Sequence, residues 1–101
     1  MSHPAEPESH TIRRYLEREF PGQVRHTWWD EEAQASVFEV AHETARHRVL
    51  VDKGTLRSCQ DVSASLHMSE LADYMREART QERRFRVVAE AGTLRIRSTP
   101  L

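Results

Sequence analysis

Apolar residues recur along this chain with two different periods, one typical of helices and one typical of strands. Near the amino end, apolar positions three and four residues apart run from Ile12 to Phe20, which predicts an amphipathic helix that ends at Pro21 and Gly22. Further along, apolar and polar positions alternate instead. This alternation, interrupted by polar turns, predicts three strands at residues 23–29, 35–42 and 45–51.

The second half of the chain repeats this change of period. A stripe of apolar positions after Ser69 predicts a second helix, with Ser69 as its N-cap. The buried positions of that helix are expected at Leu71, Ala72, Met75 and Ala78. Residues 85–89 and 93–97 then predict a last hairpin. Between Thr55 and Met68 two interpretations stay open, a short fourth strand or a loop.

These elements predict an α+β fold. The expected order is α-β-β-β-(β)-α-β-β, with an antiparallel meander sheet and two helices packed on one of its faces. Residues 1–8 contain two prolines and two glutamates, so we expect a flexible N-terminal arm there. Residues 9–101 are expected to form a single domain, because about 100 residues is a common domain size.

The most distinctive feature of the chain is a near-repeat of one arginine-rich segment. Residues 46–57 and 84–95 both begin Arg-x-Arg-Val, continue to an acidic residue and a glycine, and end Thr-Leu-Arg. We interpret this similarity as convergent hairpin chemistry, with a duplication as the alternative. Side chains alternate between the two faces of a strand, so both segments are expected to direct arginines to one face and aliphatic residues to the other.

The same alternation assigns the remaining strand residues to faces. The helix-facing side is expected to carry Val24, Trp28, Phe38, Val40, Val49, Val51, Val87, Leu94 and Ile96. The open side is expected to carry Arg25, Thr27, Trp29, Glu39, Arg46, Arg48, Leu50, Arg86, Val88, Arg95 and Arg97. Adjacent tryptophans must split between the faces, and Trp28 shares its parity with Val24. His26 shares that parity too and is expected at the edge of the core.

Charge and composition limit the classes of partner. The formal net charge of the 101 residues is -1, so any affinity for nucleic acid must come from segregated rather than total charge. No apolar run approaches the length of a membrane span, and we expect neither a signal peptide nor a membrane partner. The only cysteine, Cys59, excludes an intrachain disulfide and fits a cytoplasmic location.

Candidate catalytic chemistry is sparse. Cys59 lacks an adjacent base, and three glycines are too few for the usual phosphate-binding loops. His42 and His47 flank a tight turn, where they and Glu43 are either weak metal ligands or a pair of surface imidazoles. The acidic residues 30–32 lack the spacing of a calcium loop and are interpreted as a solvated turn. We therefore expect no cofactor, no metal and no enzyme site.

The open sheet face is the surface that indicates a function, and three interpretations of it compete. It is an interface for a second copy or another protein, a surface for nucleic acid, or a solvated face whose arginines pair across strands. We expect a non-catalytic interaction module that forms a homodimer, with a nucleic-acid-binding module as the alternative and a small enzyme with an undetected histidine or metal site as the third. The expected binding residues are Trp29, Arg46, Arg48, Arg86, Arg95 and Arg97.

Overall fold

A computed structural model of the chain describes residues 10–58, 69–78, 80–90 and 93–101. Within these ranges the elements are α1 (His10–Glu19), β1 (Val24–Asp30), β2 (Ala35–His42), β3 (Ala45–Asp52), α2 (Lys53–Ser58), α3 (Ser69–Glu77), β4 (Arg83–Glu90) and β5 (Thr93–Pro100). The predicted α+β class and element order are confirmed. The expected arm at residues 1–8, the only cysteine and most of the segment left open lie outside the described residues. In the part that is described, every helix is too short or too polar to cross a bilayer.

The five strands form one sheet in the order β1-β2-β3-β4-β5. The β1–β2, β2–β3 and β4–β5 pairs are antiparallel, as predicted, whereas β3 and β4 at the centre of the sheet are parallel. Parallel neighbours cannot be joined by a tight turn and need a crossover connection. Helices α2 and α3 lie in that connection, between β3 and β4 in the sequence.

The chain turns into helix α2 directly after β3, so the first part of the segment left open is neither a strand nor a loop. Asp52 explains the change, because its Oδ1 accepts a hydrogen bond of 2.7 Å from the backbone N–H of Thr55 and so caps the helix. The Thr55 Oγ1 in turn accepts a hydrogen bond of 3.0 Å from the N–H of Ala89 on β4. Leu56 is fully buried. These contacts tie α2 to the sheet.

The hydrophobic core lies between one sheet face and helices α1, α2 and α3. Its members outside the sheet come from the helices, together with Phe20, which directly follows α1. They are Ile12, Tyr15, Leu16, Phe20, Leu56, Leu71, Ala72 and Met75. Its members from the sheet share one strand parity and are Phe38, Val40, Val49, Val51, Phe85 and Val87. Val24, Leu94 and Ile96 pack against its margin, as expected for the helix-facing side.

Polar contacts link α1 to α3. The Tyr15 hydroxyl oxygen accepts a hydrogen bond of 3.3 Å from the backbone N–H of Ala72, and burial raises the pKa of Tyr15 to about 12. Arg76 Nη2 lies 2.8 Å from Glu19 Oε2, and its guanidinium lies over the Phe20 ring. Both helices are therefore held over the same face.

We expect Leu16→Ala to destabilise the domain by about 2–5 kcal/mol, because it leaves a cavity where α1 meets the sheet. The matched control is Tyr74→Ala on α3, where the side chain is 44% exposed and the loss should stay below about 0.5 kcal/mol. Urea unfolding followed by circular dichroism measures both. Equal losses for the two variants would contradict the described core.

Candidate functional site

A bulge in β1 decides which tryptophan lies on the open face. The pairing of β1 with β2 shifts between Val24 and His26, so Arg25 is an extra residue and the strand parity inverts after it. Trp28 therefore pairs with Val37 on the open face, and Trp29 pairs with Ser36 on the helix-facing side. The expected placement of Trp28 in the core and of Trp29 on the open face was wrong.

The same inversion corrects two other assignments. Thr27 pairs with the core residue Phe38 and lies on the helix-facing side rather than the open one. His26 pairs with Glu39, is exposed and lies on the open face rather than at the edge of the core. One added residue thus places every later residue of β1 on the sheet face opposite to the one predicted.

Residues directly opposite each other on the open face form three rows that cross the strands from β1 to β5. The Trp28 row contains Trp28, Val37, Leu50, Arg86 and Arg97. The Glu39 row contains His26, Glu39, Arg48, Arg84 and Thr99. The Asp30 row, which continues the β3–β4 register by one position, contains Asp30, Ala35, Asp52, Val88 and Arg95. We call these three rows, together with Arg46, the arginine face.

The centre of the arginine face is apolar. Ala35, Val37 and Leu50 are buried there, and Trp28 packs against them. The guanidinium carbon of Arg48 lies 5.7 Å from the centre of the Trp28 ring, a distance typical of a cation–π contact. A groove of about 320 Å³ follows the Trp28 row, between Arg48 and Arg84 on one side and the β1–β2 turn on the other.

Charge is divided unequally across the arginine face. Carboxylates occur in its β1–β2 half, at Asp30 and Glu39, and Glu32 of the β1–β2 turn lines the groove. Arginines occupy the β4–β5 half, at positions 84, 86, 95 and 97. Like charges are directly opposite each other in two pairs, Arg48 with Arg84 and Arg86 with Arg97, an arrangement that destabilises a sheet unless other groups balance it.

Only some of these arginines have an acidic partner among the described residues. Arg48 Nε lies 3.6 Å from Glu39 Oε2, and Arg46 Nε lies 3.7 Å from Glu82 Oε1. Arg86 Nη2 donates a hydrogen bond of 3.4 Å to the backbone oxygen of Ala33. The exposed Arg84 and Arg97 have no ion pair with any residue that the structure describes.

The arginines chosen from the sequence therefore share one face. Arg46, Arg48, Arg86, Arg95 and Arg97 belong to it, whereas Trp29 does not. Sequence reasoning missed Trp28 because of the bulge. It also missed Arg84, although that residue opens the second Arg-x-Arg motif, because the strand was predicted to begin at Phe85, two residues after its observed start.

The histidine pair considered as a metal site lies on the helix-facing side of the sheet, where His47 is buried and His42 is half-buried. The His42 ring packs edge-on against Phe20, and the fully buried His47 ring packs edge-on against Phe85. Neither nitrogen of His47 has a hydrogen-bond partner among the described residues. Those residues also contain no group of three histidine, cysteine, aspartate or glutamate side chains that could hold a metal ion.

Burial lowers the pKa of His47, and the neighbouring His42 lowers it further. The Met75 backbone and the Glu82 carboxylate oppose this shift, and Arg83 adds to it. The folded domain therefore binds fewer protons at this site than the unfolded chain does. Above the ordinary histidine pKa of about 6.5 the ring is neutral in both states, and the domain has its full stability. As the pH falls below that value the unfolded chain takes up the proton first, so the free energy of unfolding decreases.

We expect the free energy of unfolding to decrease as the pH is lowered from 7 to 5, and to decrease less in His47→Leu, which fills the same apolar site without a titrating group. Urea unfolding at several pH values measures this difference. The control is His26→Gln, because His26 is exposed on the open face. Parallel pH profiles for wild type and His47→Leu would show that His47 does not contribute.

Comparison of this chain with protein-family models, with the curated proteins and with the solved structures found no match. The function must therefore be argued from the geometry of the chain itself.

Proposed function

We propose that this domain is a non-catalytic interaction module that self-associates through the arginine face. The observation that carries this proposal is that the described helices cover one face of the sheet, since all their core residues pack on the face opposite the arginine face. The arginine face combines a half-buried tryptophan, aliphatic neighbours and arginines in one row. Tryptophan and arginine are the residues most enriched where interfaces gain their binding energy.

The charges of the arginine face also favour a partner over solvent alone. A solvated face would be expected to pair its arginines with acids across the strands. Arg84 and Arg97 instead lie beside other arginines, without an acidic neighbour in the described residues. Carboxylates supplied by a partner would balance them, and the β1–β2 half of a second copy carries such carboxylates.

The dimer should depend on Trp28 and not on Trp29. We expect Trp28→Ala to weaken self-association by at least about tenfold, the effect of losing a central interface residue. Trp29→Ala removes the same side chain from the helix-facing side of the same strand, so it is the matched control and should leave the dimer intact. Sedimentation velocity over a concentration series measures both, with urea unfolding to confirm that each variant folds.

A monomeric wild-type protein at high micromolar concentration would contradict this proposal. Equal weakening by the two tryptophan variants would contradict the assignment of the interface to the arginine face. Because Trp28 packs on Leu50 within its own chain, Arg97→Ala serves as a second interface variant that leaves this packing unchanged.

Nucleic-acid binding is the second candidate function, and the four arginines of β4 and β5 favour it. They lie on two neighbouring strands with Arg86 directly opposite Arg97, so they form a compact cationic patch, and Arg84 and Arg86 line the same groove as Trp28. Arginines release counterions from phosphates, and an aromatic ring can stack on a base. The carboxylates of the β1–β2 half would repel a phosphate backbone that crosses the whole face.

Salt dependence separates the two candidates. If the patch binds nucleic acid, affinity for mixed-sequence single-stranded RNA and DNA should fall steeply as salt rises, and Arg84→Gln/Arg97→Gln should weaken it further. Fluorescence anisotropy with labelled oligonucleotides measures both effects. The control is Arg14→Gln/Arg57→Gln, which removes two exposed arginines from α1 and α2. Equal binding by the two double variants would rule out this patch as the site.

A further inference from the structure

Two copies that associate through their arginine faces can be related by a two-fold axis along the strands or across them. A two-fold interface is self-complementary, so each residue and its counterpart exchange roles between the copies. With the axis along the strands, β1 lies over β5 of the second copy, β2 lies over β4, and β3 lies over β3. Each of the three rows then meets the same row of the second copy in reverse order.

The Trp28 row matches its own reverse. Trp28 meets Arg97 of the second copy, which offers a cation–π contact at each end of the row. The Leu50 positions oppose each other at the axis, and Val37 opposes Arg86. Leu50 and Val37 are already buried in their own chain, so the side chains that reach the second copy are the half-buried Trp28 and the arginine stems.

The two charged rows also match their reverse. In the Glu39 row, Glu39 meets Arg84 of the second copy. In the Asp30 row, Asp30 meets Arg95 of the second copy. Two like-charge contacts remain near the axis, Arg48 with Arg48 and Asp52 with Asp52. Each Arg48 already has Glu39 and the Trp28 ring of its own chain as neighbours, and each Asp52 already accepts a hydrogen bond from the N–H of Thr55.

An axis across the strands gives a poorer match. It lays β1 over β1, β4 over β4 and β5 over β5, so that the Trp28 row meets itself in the same order. Arg86 then meets Arg86 of the second copy, and Arg97 meets Arg97. Like charges placed opposite each other in an interface cost several kcal/mol. The axis along the strands also opposes like charges, at Arg48 and Asp52, but both have polar partners in their own chain, whereas Arg97 has no ion pair among the described residues. That axis also places Glu39 and Asp30 over arginines, so it is favoured.

We propose, resting on the self-association argued above, that the partner of the arginine face is a second copy related by a two-fold axis along the strands. The acidic β1–β2 half of each copy then lies on the basic β4–β5 half of the other. Five strands about 4.8 Å apart and roughly 25 Å long give a flat area of about 600 Å², to which the projecting side chains add. This area is close to the roughly 800 Å² that each partner buries in a standard interface.

Exchange of the charges between the two halves tests this arrangement. The base-reversed variant is Arg95→Glu/Arg97→Glu, and the acid-reversed variant is Glu31→Lys/Glu32→Lys in the exposed β1–β2 turn. Asp30 itself stays unchanged, because its Oδ1 accepts the hydrogen bonds of Glu32 N and Ala33 N that form the turn. The homodimer of each variant alone should be about a hundredfold weaker than the wild-type dimer, since like charges then meet at both of its ends.

An equimolar mixture of the two variants should form a mixed dimer that is tighter than either variant's own dimer. One end of the mixed pair matches wild type, and at the other end the lysines introduced at positions 31 and 32 face the glutamates introduced at positions 95 and 97. Asp30 at that second end then faces a glutamate, so the mixed dimer should stay weaker than wild type. Sedimentation velocity and native mass spectrometry measure the mixed species. Arg14→Glu/Arg57→Glu on the helices matches the base-reversed variant in net charge and should dimerise like wild type.

The outcomes separate this arrangement from self-association itself. A monomeric wild type overturns both proposals. If wild type dimerises but the mixture of variants does not associate more tightly than each variant alone, the axis along the strands is wrong and self-association still stands. The same conclusion follows if Arg14→Glu/Arg57→Glu dimerises as weakly as the base-reversed variant.

Discussion

Burial of one sheet face by the helices is the constraint on which the rest of this structure depends. Leucines, aromatic residues and a methionine from α1, α2 and α3 pack on strand residues of a single parity. Alternation along the strands then assigns every residue of the other parity to the opposite face. The arginine face exists because the described helices cover only one side of a sheet that has two.

Most elements follow from the period of the apolar residues. The bounds of β2 were predicted without error, and β1, β3 and α1 differ from prediction by one or two residues at their ends. The arginines could be assigned to one face for the same reason. The exchange of Trp28 and Trp29 could not be predicted, because a bulge adds one residue without changing the polarity of its neighbours. The sequence nevertheless carries a sign of the bulge. Arg25 and His26 are consecutive polar residues and the two tryptophans are adjacent, so apolar and polar positions do not alternate regularly in β1.

The near-repeat shows how little separates two local structures. The first copy ends in a helix and the second in a hairpin strand, although both contain a glycine and Thr-Leu-Arg after the acidic residue. The first copy has Asp52 at the position where a short carboxylate can cap a helix, and the second has Glu90. The Asp52 cap is the observed contact with which the first copy enters its helix. The buried His47 was missed as well, since a histidine beside a turn is ordinarily expected in water.

The parallel pairing at the centre of the sheet has a consequence for how the chain folds. Arg48 and Arg84 are neighbours in space although thirty-six positions separate them in the sequence. The hairpins on either side are local and can form early, whereas this central contact must wait for a long loop to close. Closure of the crossover is therefore expected to limit the folding rate. During synthesis, any sheet formed by the strands before α2 has an unpaired edge at β3 until β4 emerges from the ribosome.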